Sequence, residues 1–105
     1  MTLLGCPKMI MVENLDIGGK AFQGIKVELK GLPPLVLIEG DNGFVMCGYL
    51  DIDAAESLGA TAAVVSGVNS WEDVLNAQIK TATTKAKAMG LEPGRIVGDV
   101  IAALA

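Results

Sequence analysis

The sequence predicts an α+β domain, with antiparallel strands in its first half and helices in its second. Ile25, Val27 and Leu29 alternate with charged residues, which is the period of two expected of a strand with one buried face. Gly18-Gly19 and Asn42-Gly43 each separate two apolar segments, as hairpin turns do. Beyond residue 51 the signals become those of helix starts and stops. We therefore expect a sheet with helices packed on one face.

The N-terminal part, residues 9–50, is predicted to be an antiparallel β-meander of about four strands. The candidate strands lie within MIMVENLDI, KAFQGIKVELK, LVLIEG and FVMCGYL. We expect Asn42-Gly43 at the centre of the second hairpin turn, because both central residues of such a turn need positive φ. In the last segment, alternation puts Cys47 on the same face as Val45 and Tyr49.

Residues 51–105 are predicted to be a helical part with one further strand. The strand is TAAVVSG, and the helices lie within DIDAAESLG, NSWEDVLNA, IKTATTKAKAMG and EPGRIVGDVIAALA. Asp53 and Glu56 have the spacing of a capping box, and Ser70 is the predicted N-cap of the second helix. The chain, residues 1–105, is short enough to be a single domain.

The composition predicts self-association. A chain of 105 residues has a small core, yet 51% of its residues are hydrophobic. Large exposed apolar patches usually mark interfaces between proteins, so we expect the chain to associate with itself. The longest apolar stretches are far shorter than the roughly 18–20 residues of a membrane-spanning helix. We expect a soluble, cytoplasmic protein with no membrane partner.

Charge and residue usage exclude several classes of function. The net charge of −4 disfavours nucleic acid, because phosphate contacts require clustered Lys and Arg. The chain has no histidine, the usual base of Ser-His and Cys-His catalysis and the commonest transition-metal ligand. Two cysteines, Cys6 and Cys47, are too few for a disulfide scaffold and are predicted to be free thiols.

Three further features have an ordinary structural interpretation. Seven acids and no basic residue lie between Lys30 and Lys80, but most fall at predicted helix starts, where negative charge is favourable. We therefore expect neither a metal site nor a cofactor. Gly67 and Gly94 precede helices without a phosphate-loop fingerprint, which favours tight turns. Trp71 is expected to pack its helix onto the sheet.

Cys47 is the one residue with a functional interpretation of some weight. Free cysteines are often small buried hydrophobes, and FVMCGYL is apolar enough for that role. Its position near the end of a strand, beside Gly48, would also allow another group to approach its backbone closely. The sequence leaves both a structural and a reactive or ligand-contacting role open.

The chain resembles the YunC-like family, the domain of unknown function 1805. The resemblance depends on GFVMCGYLD, SGV, DVLNA and GLEPG, and covers residues 20–104. It implies tetramerisation through the β-rich N-terminal part, and brings no activity, substrate or cofactor. The matched motif makes Cys47 the candidate catalytic residue and Gly43, Gly48 and Asp51 the candidate binding residues. The chain departs from the family pattern at Asn69 and Arg95, which weakens an anion site at those two helix starts.

Two classes of function follow. The first is a homo-oligomeric, tetrameric binding or assembly module whose small-molecule ligand is unknown. The alternative is a thiol-dependent enzyme or a sulfur or acyl carrier that uses Cys47 as nucleophile. The absence of histidine favours the module, whereas the Met-Cys-Gly motif favours the thiol. Whether the protein is an enzyme stays open at this point.

Overall fold

The computed structural model describes residues 10–105, whose centre is a six-stranded sheet with its strands side by side in chain order. The strands are β1 (Ile10–Ile17), β2 (Lys20–Val27), β3 (Leu35–Gly40), β4 (Gly43–Met46), β5 (Ala62–Val64) and β6 (Thr81–Ala82). The first four pair antiparallel, which confirms the predicted meander, although residue 9 lies outside the described part. β5 pairs parallel with β4 and antiparallel with β6.

Short helices connect and cover these strands, which confirms the α+β class. They are α1 (Ile52–Ser57), α2 (Trp71–Asn76), α3 (Thr84–Ala88), α4 (Val97–Val100) and a 3₁₀ helix (Ile101–Leu104). α1 lies in the crossover that a parallel β4–β5 pair requires. Among residues 10–105, no helix has the length and apolar character needed to cross a membrane.

One row of small and apolar residues crosses the sheet and forms the floor of the core. Residues that are directly paired across strands point to the same face. The row consists of Gly24, Ile38, Val45, Ala63 and Ala82. All five are buried, and side chains of α2, α4 and the 3₁₀ helix pack into the same core. These helices therefore cover this face of the sheet.

The buried face of β2 is not the one that the sequence predicts. Phe22 and Gly24 are its buried residues, whereas Ile25 and Val27 lie on the opposite, outer face and are only half-buried. Leu29 follows the end of the strand. A period of two identifies two faces, but it does not identify which of them meets the helices.

Trp71 packs α2 onto the sheet, as predicted. Its indole Nε1–H donates to the carbonyl of Ile25 at 3.3 Å. The ring lies so close to Gly24 that a Cβ at this position would come within 2.6 Å of the ring. Gly24 therefore provides the space that the tryptophan occupies.

The second hairpin turn has a different centre from the predicted one. Gly40 pairs with Gly43, so the two turn residues are Asp41 and Asn42. Asn42 does not have positive φ. Its backbone amide instead donates to the carbonyl of Leu104, at 2.9 Å. The prediction of Asn42-Gly43 as the centre is wrong because this contact from the C-terminal segment selects the turn.

The predicted helix over residues 79–90 is divided in the structure. Thr81 pairs with Val64 in β6, and Thr83 is the N-cap of the shorter α3. The Thr83 hydroxyl accepts hydrogen bonds from the amides of Ala62 and Ala86, at 3.1 and 3.4 Å. A strand of two residues exists only because β5 offers it a partner.

The first predicted capping box is wrong, while the second N-cap is confirmed. Asp51, not Asp53, caps α1 and accepts from two backbone amides at 3.0 and 3.2 Å. Glu56 instead accepts from the amide of Thr84, the first residue of α3, at 2.8 Å. Ser70 caps α2 as expected and accepts from the amide of Asp73.

Candidate site at the carboxyl ends of β4 and β5

A cavity of about 500 Å³ lies at the edge of the sheet where β4 and β5 end. These two strands are parallel neighbours, so the residues that follow them meet at the same edge. The lining comes from three segments, residues 33–34, 47–49 and 66–69. Cavities of this size hold small molecules, commonly with a few polar groups that fix orientation.

Cys47 lies at the inner end of this cavity and is only 5% exposed. Its backbone amide donates to the carbonyl of Val36 at 3.0 Å, which continues the β3–β4 pairing by one residue. The amide of Val36 in turn donates to the Cys47 sulfur at 3.4 Å. The thiol can donate to the carbonyl of Pro34, with a sulfur–oxygen distance of 4.0 Å. The sulfur therefore accepts one hydrogen bond and can donate another, both within the fold.

The chain turns away from the sheet directly after Cys47. The amide of Leu50 donates to the Cys47 carbonyl at 3.2 Å and closes the turn. Tyr49 is therefore 48% exposed and does not continue the buried face with Val45 and Cys47, so that prediction is wrong for Tyr49. Its hydroxyl donates to the carbonyl of Pro33 at 2.8 Å. This bond connects two segments of the cavity wall.

The third wall segment, residues 66–69, is a turn that leads into α2. Gly67 has φ of 72°, a conformation that favours glycine, which confirms the predicted tight turn. The amide of Asn69 donates to Oδ2 of Asp73 at 3.0 Å. Because Asp73 also bonds to the N-cap Ser70, the turn is held against the helix. The polar groups of Ser66 and Asn69 line the cavity.

A second cavity of about 460 Å³ adjoins the first, since Pro34 and Asn69 line both. The other lining residues come from the end of β2 and the connection to β3: Lys26, Glu28, Leu29, Lys30 and Leu32. Among residues 10–105, no Asp, Glu, Lys or Arg lines the first cavity. Within this part of the chain, the charged residues along the two cavities, which together form a groove, therefore line only the second one.

Several carboxylates of the described part lie at helix starts, among them Asp51, Glu56 and Asp73. Within residues 10–105, no three His, Cys, Asp or Glu side chains come together as metal ligands would. Hydrogen bonding from the Thr84 amide lowers the pKa of Glu56, and the positive charges of Lys87 and Lys85 lower it further. This carboxylate connects α1 to α3 and does not line the cavity.

Residues 46–104 match the family model described as domain of unknown function (DUF1805). The chain belongs to this family. Among proteins similar to it is the uncharacterized protein YunC of Bacillus subtilis, with 26% identity over 82% of this chain and 88% of that protein. A crystal structure of a protein of unknown function, TA1206 from Thermoplasma acidophilum, is similar over 92% of this chain and 94% of that one. Its TM-score is 0.88 and its identity 36%. The predicted resemblance is confirmed.

The structure brings two of the four candidate site residues of this DUF1805 protein together. Cys47 and Gly48 both line the first cavity. Gly43 begins β4 at the opposite end of the strand, and Asp51 caps α1. No described residue would come within 4 Å of a Cβ on Gly48, so the space beside this glycine is open. The binding roles of Gly43 and Asp51 stay predictions.

Sequence reasoning missed most of the wall of the DUF1805 cavity. The missed residues that carry polar groups or enclose Cys47 are Pro33, Pro34, Tyr49, Ser66 and Asn69. A correct β3–β4 register would have placed residues 33–34 beside Cys47. The place of residues 66–69 in the cavity wall could be predicted only if β4 and β5 were known to be parallel, which no local pattern indicates. Cys6, the other predicted free thiol, lies outside the described residues.

Proposed function

We propose that this DUF1805 protein is a cytoplasmic, homo-oligomeric binding module. It assembles through the outer face of its meander and takes a small molecule in the cavity beside Cys47. The observation that supports this self-assembly is the exposure of apolar side chains on the outer face. The two cysteines of the sequence, too few for a disulfide scaffold, support the cytoplasmic location.

The outer apolar face consists of paired residues on β1, β2 and β3. Val12 pairs with Ile25, which pairs with Leu37, and Ile10 pairs with Val27. Ile10 and Val12 are 61% and 57% exposed, and the other three are half-buried. Apolar residues that lie together on one exposed face mark an interaction site.

A polar row bounds this face on one side. Asn14 pairs with Gln23, and Gln23 with Glu39, so their side chains follow the apolar rows on the same surface. An apolar centre beside a polar rim is the usual anatomy of a protein interface. A second copy of the chain would bury the apolar rows and leave Asn14, Gln23 and Glu39 at the rim.

A tetramer with D2 symmetry needs two different interfaces on each subunit, and the meander offers two surfaces. The first is the outer apolar face. The second is the free edge of β1, because within residues 10–105 this strand pairs only with β2. An exposed edge strand can pair with the same strand of another copy. These two surfaces and the family resemblance support a tetramer in preference to a dimer.

The test is the mass in solution of variants that place a charge on the outer face. We expect Val12→Asp to lower the mass measured by light scattering, because the new carboxylate would be buried in the interface. Val12 is 57% exposed in the single chain, so the substitution leaves the fold intact. Leu58→Asp is the matched control, since Leu58 is 85% exposed at the end of α1. An unchanged mass of folded Val12→Asp would refute this interface.

The second candidate function is thiol chemistry at Cys47, as an enzyme or a sulfur or acyl carrier. The observation that favours it is the position of the sulfur in a cavity large enough for a substrate. Against it are the 5% exposure of Cys47 and the absence of histidine from the sequence. The thiol can also donate to the carbonyl of Pro34, so its contacts are made within the fold. The binding module therefore has the stronger support.

Native alkylation separates these two functions. A Cys6→Ser variant contains Cys47 as its only thiol, and iodoacetamide labelling is followed by mass spectrometry. If Cys47 is a buried structural residue, labelling is much slower in the folded protein than in denaturant. Labelling of the folded oligomer at or above the rate of a free thiol would favour thiol chemistry instead.

A further inference from the structure

The two adjoining cavities, which share the wall residues Pro34 and Asn69, form a groove that extends from Cys47 to Lys26 and Lys30. Lys26 pairs with Val36 on β3, and Val36 is hydrogen-bonded to Cys47. These three residues therefore follow one another across three neighbouring strands. Because neighbouring strands lie about 4.8 Å apart, the Cα atoms of Lys26 and Cys47 are separated by about 10 Å.

Lys26 and Cys47 also point to the same side of the sheet. Paired residues share a face, so Lys26 lies on the face of Val36. Val36 and Ile38 share a face by alternation, and so do Cys47 and Val45, the partner of Ile38. Lys26 is half-buried at the end of this core face. A single small molecule can therefore contact both residues.

The charges along this groove are unevenly distributed. The first cavity offers neutral polar groups from Tyr49, Ser66 and Asn69. Among residues 10–105, the charged residues that line the second cavity are Lys26, Lys30 and Glu28, with a local charge of 2 − 1 = +1. The whole chain has a net charge of −4. This end of the groove therefore attracts anions although the protein as a whole repels them.

We propose that the ligand is a small organic anion. Its carboxylate or phosphate contacts Lys26 and Lys30, and its neutral body occupies the cavity beside Cys47. This inference rests on the proposed role of the cavity as a ligand site. It adds the chemical class and the orientation of the ligand. A cationic molecule of the same shape would meet the two lysines and bind less well.

The test compares probes that share one body and differ in charge. They are 4-phenylbutyrate, 4-phenylbutyl phosphate, 4-phenylbutanamide and 4-phenylbutylamine, each titrated into the ¹⁵N-labelled full chain and followed by amide chemical shifts. We expect both anions to shift the amides of residues 47–49 and 66–69 and to bind more tightly than the amide and the amine. The anion that binds more tightly shows whether the site prefers a carboxylate or a phosphate.

The lysine variants test the orientation. We expect the double variant Lys26→Gln and Lys30→Gln to weaken binding of the anions about fivefold, as two partly exposed ion pairs would. The amide should bind the double variant unchanged. The double variant Lys85→Gln and Lys87→Gln also removes two positive charges, both on α3, and is the control for net charge.

Two outcomes overturn the inference in distinguishable ways. If the amide shifts the same residues as strongly as the anions, and the double variant binds all probes unchanged, the ligand class is wrong while the cavity stands as a binding site. If none of the four probes shifts residues 47–49 or 66–69, the ligand cavity itself is wrong.

Discussion

The backbone amide of Val36 donates a hydrogen bond to the sulfur of Cys47, at a nitrogen–sulfur distance of 3.4 Å. In a regular antiparallel pair this amide would donate to the carbonyl of Cys47. That carbonyl instead accepts from Leu50, because the chain turns after β4. The sulfur therefore takes the place of a missing backbone acceptor in the core. This requirement alone explains a small side chain with acceptor capacity at position 47.

The first prediction concerns the free energy of unfolding of two Cys47 variants. Cys47→Ala leaves the buried amide of Val36 without a partner, which costs about 1–3 kcal/mol. Cys47→Ser keeps an acceptor at this position and should be the more stable of the two. Urea unfolding of both variants in a Cys6→Ser background checks this. Equal stability of the two variants would show that the Val36 amide does not depend on the side chain.

The second prediction concerns the contact between Gly24 and Trp71. A Cβ at Gly24 would lie within 2.6 Å of the indole, so Gly24→Ala must displace the ring from its site on β2. Displacing a packed side chain costs about 1–3 kcal/mol. The variant should therefore unfold at a lower urea concentration, with altered tryptophan fluorescence. Gly48→Ala is the control, because no atom of residues 10–105 lies within 4 Å of a Cβ at that glycine. If the two variants lose the same stability, close packing at Gly24 is not the cause.

Local signals in the sequence predict the four strands of the meander, the strand β5 and the start of α2. Gly18 and Gly19 both have positive φ and connect β1 to β2, as the glycine pair indicates. Ser70 caps α2 through a hydrogen bond that spans three residues of sequence. The faces of the sheet are not predictable in this way. They are decided by Trp71, which reaches across to Gly24, 47 positions earlier in the chain.

The register of the second hairpin shows why the candidate site could be predicted only in part. In the structure Leu37 pairs with Met46, so the next position on β3, Val36, is the neighbour of Cys47. A turn centred on Asn42-Gly43 would have placed Ile38 opposite Cys47 instead. Residues 33–34 would then have been too far away to line the cavity. The hydrogen bond from Asn42 to Leu104 decides the turn, and it connects parts of the chain that no local pattern relates.

The third prediction concerns the pH dependence of stability at Glu56. The Thr84 amide lowers the pKa of this carboxyl below its ordinary value of 4.5 in the folded state. The stabilisation is therefore fully present above pH 4.5 and is lost as the pH falls through the lower folded value. We expect Glu56→Gln to be less stable than the parent protein at about pH 7, and the difference to shrink at about pH 3. Unfolding experiments at both pH values measure this difference.

Glu92→Gln is the control for Glu56, since it removes the same charge at an exposed turn position. The difference in free energy of unfolding between Glu92→Gln and the parent protein should not change with pH in the same way. If the stability difference of Glu56→Gln is the same at both pH values, the negative charge of Glu56 beside the Thr84 amide contributes nothing to folding.

The last prediction concerns access to Cys47. Tyr49 donates to the carbonyl of Pro33 and so connects the turn after β4 to the segment before β3. Because Tyr49 is 48% exposed, the loss of its hydrogen bond to Pro33 in Tyr49→Phe should cost only about 0.5–1 kcal/mol of global stability. Local opening of the turn should become more frequent, and alkylation of Cys47 by iodoacetamide in the folded protein should become several-fold faster. Mass spectrometry of both proteins in the Cys6→Ser background measures the rates. Tyr49→Phe with an unchanged labelling rate would show that the bond to Pro33 does not control access to the thiol.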